Sequence, residues 1–169
     1  DHARALEITE SFFWTFCDDY LELVKERAYD QTDVGQASAA LALRTALSTL
    51  LRLFAPVLAF AAEESWSWFE DGSVHAASWP EPLGIEGDPA VLTTVSEALV
   101  SVRRAKTEAK ASQKTAVTRL TIAAPAASVD VIRLAEGDLK AVGRIAEITY
   151  ADADALAVTD IELTPAEES

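Results

Sequence analysis

Residues 12–25 read FFWTFCDDYLELVK, a stretch holding the chain's only cysteine, two adjacent aspartates and a run of aromatics. At about 100° per residue on a helix, Phe13, Phe16, Cys17, Tyr20 and Val24 form one stripe, flanked by Phe12, Trp14, Leu21 and Leu23. Thr15, Asp18, Asp19, Glu22, Lys25 and Glu26 fall on the opposite arc. The segregation predicts an amphipathic helix from near Asp1 to Tyr29. Its apolar arc spans more than half the circle, which calls for more than one packing neighbour. The same geometry argues against chemistry here. Consecutive aspartates on a helix point about 100° apart and cannot share a proton, and a thiol inside an apolar stripe has no cation to lower its pKa.

Working outward, the polar loop DQTDVGQ (Asp30–Gln36) leads to a second helix over Ala37–Ala55. Ala40, Leu43, Leu47, Leu50, Leu51 and Phe54 define its buried face, and Arg44, Ser48 and Arg52 recur on the other side. Pro56 is expected to open a third helix as a first-turn proline. That helix, PVLAFAAEESWSWF, is apolar almost all round and is expected to sit centrally. Within it Glu63 and Glu64 read as structural carboxylates in preference to catalytic ones. The Pro/Gly-rich segment SWPEPLGIEGDP (78–89) marks a boundary. Beyond it, Asp88 and Pro89 supply an N-cap and first-turn proline for a helix reaching Ala111, with Val91, Val95, Ala98, Val102, Ala105 and Ala109 inward. AVTRLTIAAP alternates like a strand. A helical pattern over Ala127–Val142, interrupted at Gly137, precedes two strand-like runs, RIAEITYA and ALAVTDIELT. The expected fold is mainly α: an antiparallel helical bundle over 1–80, a linker over 81–88, and a helix plus small α+β subdomain over 89–169.

Charge and composition narrow the function. The net charge of −14 over 169 residues opposes whole-surface binding to nucleic acid. One cysteine excludes an internal disulfide. The chain lacks methionine and opens inside a helix, so it is expected to be part of a longer protein. No uninterrupted apolar run approaches the roughly 18 residues of a membrane span, and no signal sequence is visible, so a cytoplasmic protein without a membrane partner is expected. His2, His75 and Cys17 lack zinc-like spacing, and no GxGxxG, GxxxxGK[ST] or GxSxG occurs, so neither a metal site nor a catalytic residue is expected. The window RRAKTEAKASQK (103–114) holds five bases against one acid, net +4. Arg103, Lys106 and Lys110 lie along one strip, with Lys114 just past the helix end. The strip reads either as a solvated helix face or as a ridge that follows a nucleic-acid backbone by charge.

FCDDYLELVK (Phe16–Lys25) resembles the first-helix motif of the anticodon-binding domain in class I aminoacyl-tRNA synthetases, most closely the valyl enzymes, where F-C-D-x-Y-L-E-L-x-K recurs. LLRLFAPVLAFAAEESW (Leu50–Trp66) is similar to that family's L-x-P-x-x-P-F-x-x-E-x-x-W segment. Pro56, Phe60, Glu63 and Trp66 are in place, and Ala59 stands where the family has a second proline. SVHAASWP resembles the segment closing the bundle, and VRRAKTEAK the basic helix after it. KASQK (Lys110–Lys114) echoes the ATP-binding KMSKS loop but lies on the wrong side of the bundle to be one.

The resemblance implies a noncatalytic, tRNA-recognising region of a bacterial valine–tRNA ligase. Phe16, Cys17, Asp18, Tyr20, Leu21, Pro56, Phe60, Glu63 and Trp66 would be structural motif residues, mostly core. ATP with Mg, valine and the upstream catalytic domain would belong to the full-length enzyme, and the partner would be tRNA with a valine anticodon, read at its A and C. Trp14 is expected to stack on a base, and Arg44, Arg52, Arg103, Lys106, Lys110 and Lys114 to hold phosphates. Two alternatives stand beside it: the equivalent domain of an isoleucyl or leucyl enzyme, and a helical protein-interaction module of a synthetase-like paralogue.

Overall fold

The computed structural model describes residues 1–164. Glu167 and Glu168 lie outside the described residues. The chain divides into two compact units, Asp1–Glu86 and Gly87–Ser169.

The first unit is helical. Asp1 caps α1 (His2–Thr15) by accepting from the Ala3 amide at 3.1 Å. A π-helical turn, Phe16–Leu21, joins it to α2 (Glu22–Tyr29). The uninterrupted α-helix expected over this stretch is therefore corrected: FCDDYL itself forms the wider i→i+5 turn. A π turn advances less per residue than an α turn, so the apolar stripe shifts phase across it. Leu23 and Val24 become the buried pair, while Phe13, Phe16, Cys17 and Tyr20 are half-buried and Phe12 and Trp14 exposed. The rings stack along the face at i, i+4 spacing, Phe12 on Phe16 with centroids 6.0 Å apart and Phe16 on Tyr20 at 5.5 Å. Burial first, then the Asp18 charge, pushes the Cys17 thiol up from its ordinary value, as suits a small hydrophobe.

Helix α3 (Gln36–Phe54) packs on α1, α2 and the short α4 (Ala59–Trp66). By length and composition alone α3 is able to cross a membrane. Arg44 and Arg52 tie it instead to residues 69–78 of its own unit. Two expectations fail around α4. Pro56 does not open the helix, because residues 56–58 form a turn and α4 starts at Ala59. Nor is the helix central: Val57, Leu58, Phe60 and Trp68 are exposed, and only Ala62 and Trp66 face inward. Ala55, Ala62, Trp66 and Val74 make a small core there, with Leu51, Phe69 and Ala77 around it.

The second unit opens on α5 (Pro89–Glu108), capped by Asp88 accepting from Ala90 at 2.9 Å. Strand β1 (Val117–Ala124) lies between β2 (Ile145–Asp152), parallel to it, and β3 (Ala157–Leu163), antiparallel. Val117, Leu120, Ile122 and Ala124 are buried, while Arg119 faces out and Thr121 and Thr149 share a hydrogen bond at 2.8 Å. Crossover helices α6 (Ala126–Leu134) and α7 (Glu136–Gly143) join β1 to β2. They break at Ala135, not at Gly137. Glu136 and Asp138 occupy the first turn of α7, where a carboxylate complements the helix dipole, so the new helix starts before the glycine. Glu136 also binds α7 to β2: Lys140 and Tyr150 donate to it at 2.7 and 2.8 Å, and these bonds, Lys140's first, hold its carboxyl below the usual range.

Candidate nucleic-acid interface

Helix α5 buries Val95, Ala98, Leu99 and Val102, and the next inward position in that series is Lys106. Lys106 is only 1% exposed. Its Nζ donates to the carbonyls of Gln113 at 3.1 Å, Thr115 at 2.8 Å and Gly143 at 2.8 Å. All three ammonium protons are thereby spent on backbone oxygens. Burial, and secondarily the Arg144 guanidinium, lowers the pKa of this amine, and the carbonyls oppose that shift because they favour the charged form. Lys106 is thus withdrawn from the phosphate-contacting set. The reason was present in the sequence: residues 95, 99, 102 and 106 follow the 4-3-4 spacing of one helix face.

The remaining basic residues surround this clasp. Arg103 is exposed on the last turns of α5, and Arg104 is paired with Glu108 at 2.8 Å. α5 stops at Glu108, short of the expected Ala111, because Lys110 takes a left-handed backbone with φ 55°. The following loop folds back on the helix, with Gln113 Nε2 donating to the Arg103 carbonyl at 3.0 Å. Lys110 and Lys114 are both exposed. Sequence reasoning missed Arg144, which caps α7 at φ 53° and donates from Nη1 to the Lys114 carbonyl at 3.0 Å. It lies 30 residues from Lys114, and only the crossover topology brings the two together, so no local pattern announces it.

In the first unit Trp14 is 54% exposed, its indole edge-on to Phe13. Arg44 and Arg52 are more engaged. Arg44 donates from Nη2 to Glu70 at 2.9 Å and lies 5.9 Å over the Phe69 ring. Arg52 donates from Nε to the Ser48 carbonyl at 3.0 Å and from Nη1 to the Ser78 carbonyl at 3.3 Å. Among the motif residues, Glu63 accepts from Ser73 Oγ at 2.9 Å and from the Val74 amide at 3.0 Å. Glu64 accepts from Trp68 Nε1 at 3.3 Å on an exposed face. Trp66 is buried; Phe16, Cys17, Tyr20 and Leu21 are half-buried; Asp18 is exposed. The expectation of a mostly core motif fails for Pro56 and Phe60, the latter 94% exposed, since the turn before α4 aims both outward. Among the described residues no group of three or more His, Cys, Asp or Glu is placed to hold a metal ion.

A family model described as the anticodon-binding domain of tRNA ligase matches residues 1–122. The chain is 58% identical to a valine–tRNA ligase of Leifsonia xyli subsp. xyli, over 99% of this chain and 20% of that protein. It is 51% identical to one of Thermobifida fusca, again over 99% and 20%. It is 45% identical to one of Salinispora arenicola, over 96% and 21%. The chain spans about a fifth of the length of these curated relatives. Helices α1–α5 and most of β1 fall within the matched span, and the chain belongs to the anticodon-binding domain family of tRNA ligases.

Proposed function

We propose that this chain is the tRNA-recognising part of a cytoplasmic valine–tRNA ligase, and that valine activation with ATP and Mg takes place elsewhere in the full-length protein. The observation that carries the reading is the likeness to proteins named valine–tRNA ligase along nearly the whole chain.

The first unit would be an antiparallel bundle. Two contacts support this: the Phe13 ring, early in the chain, meets Phe54 at the far end of α3 with centroids 5.7 Å apart, while Gln36 at the start of α3 donates to the Ala28 carbonyl at the end of α2. Residues 81–88 would be the connection, being free of helix and strand. Recognition would divide by chemistry. Phosphate contacts position an RNA and base contacts specify it, and loop bases are read by stacking and edge hydrogen bonds. Trp14 offers an exposed stacking face, and Arg103, Lys110 and Lys114 offer charge. Arg44 and Arg52 would reach a phosphate only by releasing Glu70 and the Ser78 carbonyl.

The test is binding of the full-length protein to tRNA with a valine anticodon, against the same tRNA with the A and C of that anticodon changed. The expected result is affinity that falls steeply with salt and drops at least about tenfold on changing those bases, at ~1–3 kcal/mol per base contact. Equal affinity for both would sink the reading.

A further inference from the structure

We infer that Lys110, Lys114 and Arg144 form one phosphate-binding site for an RNA backbone. The inference rests on the tRNA reading above and adds to it a site assembled from two distant parts of the second unit. The chain has 28 acids against 14 bases, so a surface cation has acid partners in excess. Arg44, Arg104, Arg119 and Lys140 each hold a carboxylate. Among the described residues, Lys110, Lys114 and Arg144 hold none, although all three are exposed. Cations kept clear of carboxylates in an acidic protein present an undiminished charge to an anionic ligand.

Lys114 and Arg144 are held together by backbone around Lys106, and Lys110 is anchored to the same residue through its neighbour, the Ala111 amide donating to the Lys106 carbonyl at 2.9 Å. Lys106 Nζ binds the carbonyls of Gln113 and Thr115, on either side of Lys114, and that of Gly143, next to Arg144. Arg144 closes the ring by donating to the Lys114 carbonyl at 3.0 Å, while its own carbonyl accepts from Val117 at 2.8 Å. One guanidinium nitrogen is so engaged, and the remaining donors match a phosphate's paired oxygens. Lys110 and Arg144 both occupy left-handed backbone, φ 55° and 53°, where glycine is the usual residue at a helix end. Attraction to the helix C-termini explains cations near these positions. It does not explain Lys114, which lies beyond the helix, nor an arginine in the left-handed position immediately after a glycine.

That backbone supplies the test. In the full-length protein, Lys110→Gly and Arg144→Gly relieve the left-handed conformation, and Lys114→Ser removes the third charge. The triple variant is expected to keep its thermal midpoint within a few degrees or to raise it. Its affinity for tRNA with a valine anticodon is expected to fall roughly a hundredfold, and the slope of log affinity against log salt to flatten by about two to three. Unchanged affinity and slope in the variant, with normal binding by the unsubstituted protein, would overturn this inference alone. Loss of binding together with a collapse of the thermal midpoint would overturn it too, by assigning the three residues to folding. Absence of tRNA binding by the unsubstituted protein would overturn the underlying reading as well.

Discussion

The two units handle apolar surface in opposite ways. In the second, a one-faced sheet meets three helices, and Val95, Ala98, Val102, Leu120, Ile122, Ile132 and Leu139 are sealed completely. In the first, helices with wide apolar arcs meet one another along only part of each arc. Leu23, Val24, Leu50 and Trp66 are buried, but Phe12, Trp14, Tyr29, Leu41, Phe60 and Trp68 remain exposed. The groove between α2 and α3 is lined by Leu21, Lys25, Ala28, Tyr29, Ala40 and Leu43. A sheet face is flat and can be covered by helices laid across it, whereas a helix covers only one strip of its neighbour. Stability should therefore concentrate in the second unit and apolar contact area in the first.

Leu139→Ala should have the largest effect. The side chain is 0% exposed, and its truncation is expected to cost about 2–5 kcal/mol as lost transfer energy plus a cavity. The sequence provides separate probes, because Trp14, Trp66, Trp68 and Trp79 all lie in the first unit. Far-UV circular dichroism during denaturation should show an early loss of the second unit while the tryptophan fluorescence transition keeps its midpoint. If both signals shift together, the two units unfold as one and the contrast between them has no thermodynamic meaning.

What the sequence made legible follows the range of the interaction involved. The Asp88 cap and the alternation of Leu120, Ile122 and Ala124 depend on neighbours a few residues away, and both were readable; on α3 the expected face is only partly right, because Leu50 is buried but Leu47 is exposed and Ala39, one position off that face, is sealed. The π turn at Phe16–Leu21 was not readable, because FCDDYL contains no proline or glycine to mark a break in the α-helical pattern. The outward aim of Phe60 depends on how residues 56–58 turn, which composition does not encode. In the candidate interface, Lys106 was mis-sited by its residue type, since a lysine on an inward phase reads as an edge residue until its acceptors are known. Arg144 was invisible because its partner, the Lys114 carbonyl, is brought to it only by the parallel crossover.

A smaller effect is expected at Glu63. Its Oε2 satisfies Ser73 Oγ and the amide of buried Val74, and Glu63→Ala leaves both donors unpaired, at about 1–3 kcal/mol. Here the tryptophan transition should move and the second unit's should not, the mirror image of Leu139→Ala. Glu63→Gln keeps an acceptor oxygen and should recover most of the loss. Equal loss in the two variants would show that the charge, and not the two hydrogen bonds, holds Ser73 and Val74 in place.

The smallest effect is expected at Phe60, where the contrast is sharpest. Its ring is 94% exposed, so Phe60→Ser removes almost no burial and should change the tryptophan-monitored stability by less than about 0.5 kcal/mol, although the residue belongs to the motif that identifies the family. Denaturation of this 169-residue chain is the measurement, together with binding of an apolar fluorescent dye, which should fall as exposed aromatic surface is removed. A loss of 2 kcal/mol or more, on the scale of deleting a buried aromatic ring, would mean that Phe60 is packed in solution. The first unit would then have a denser core than its exposed apolar arcs imply.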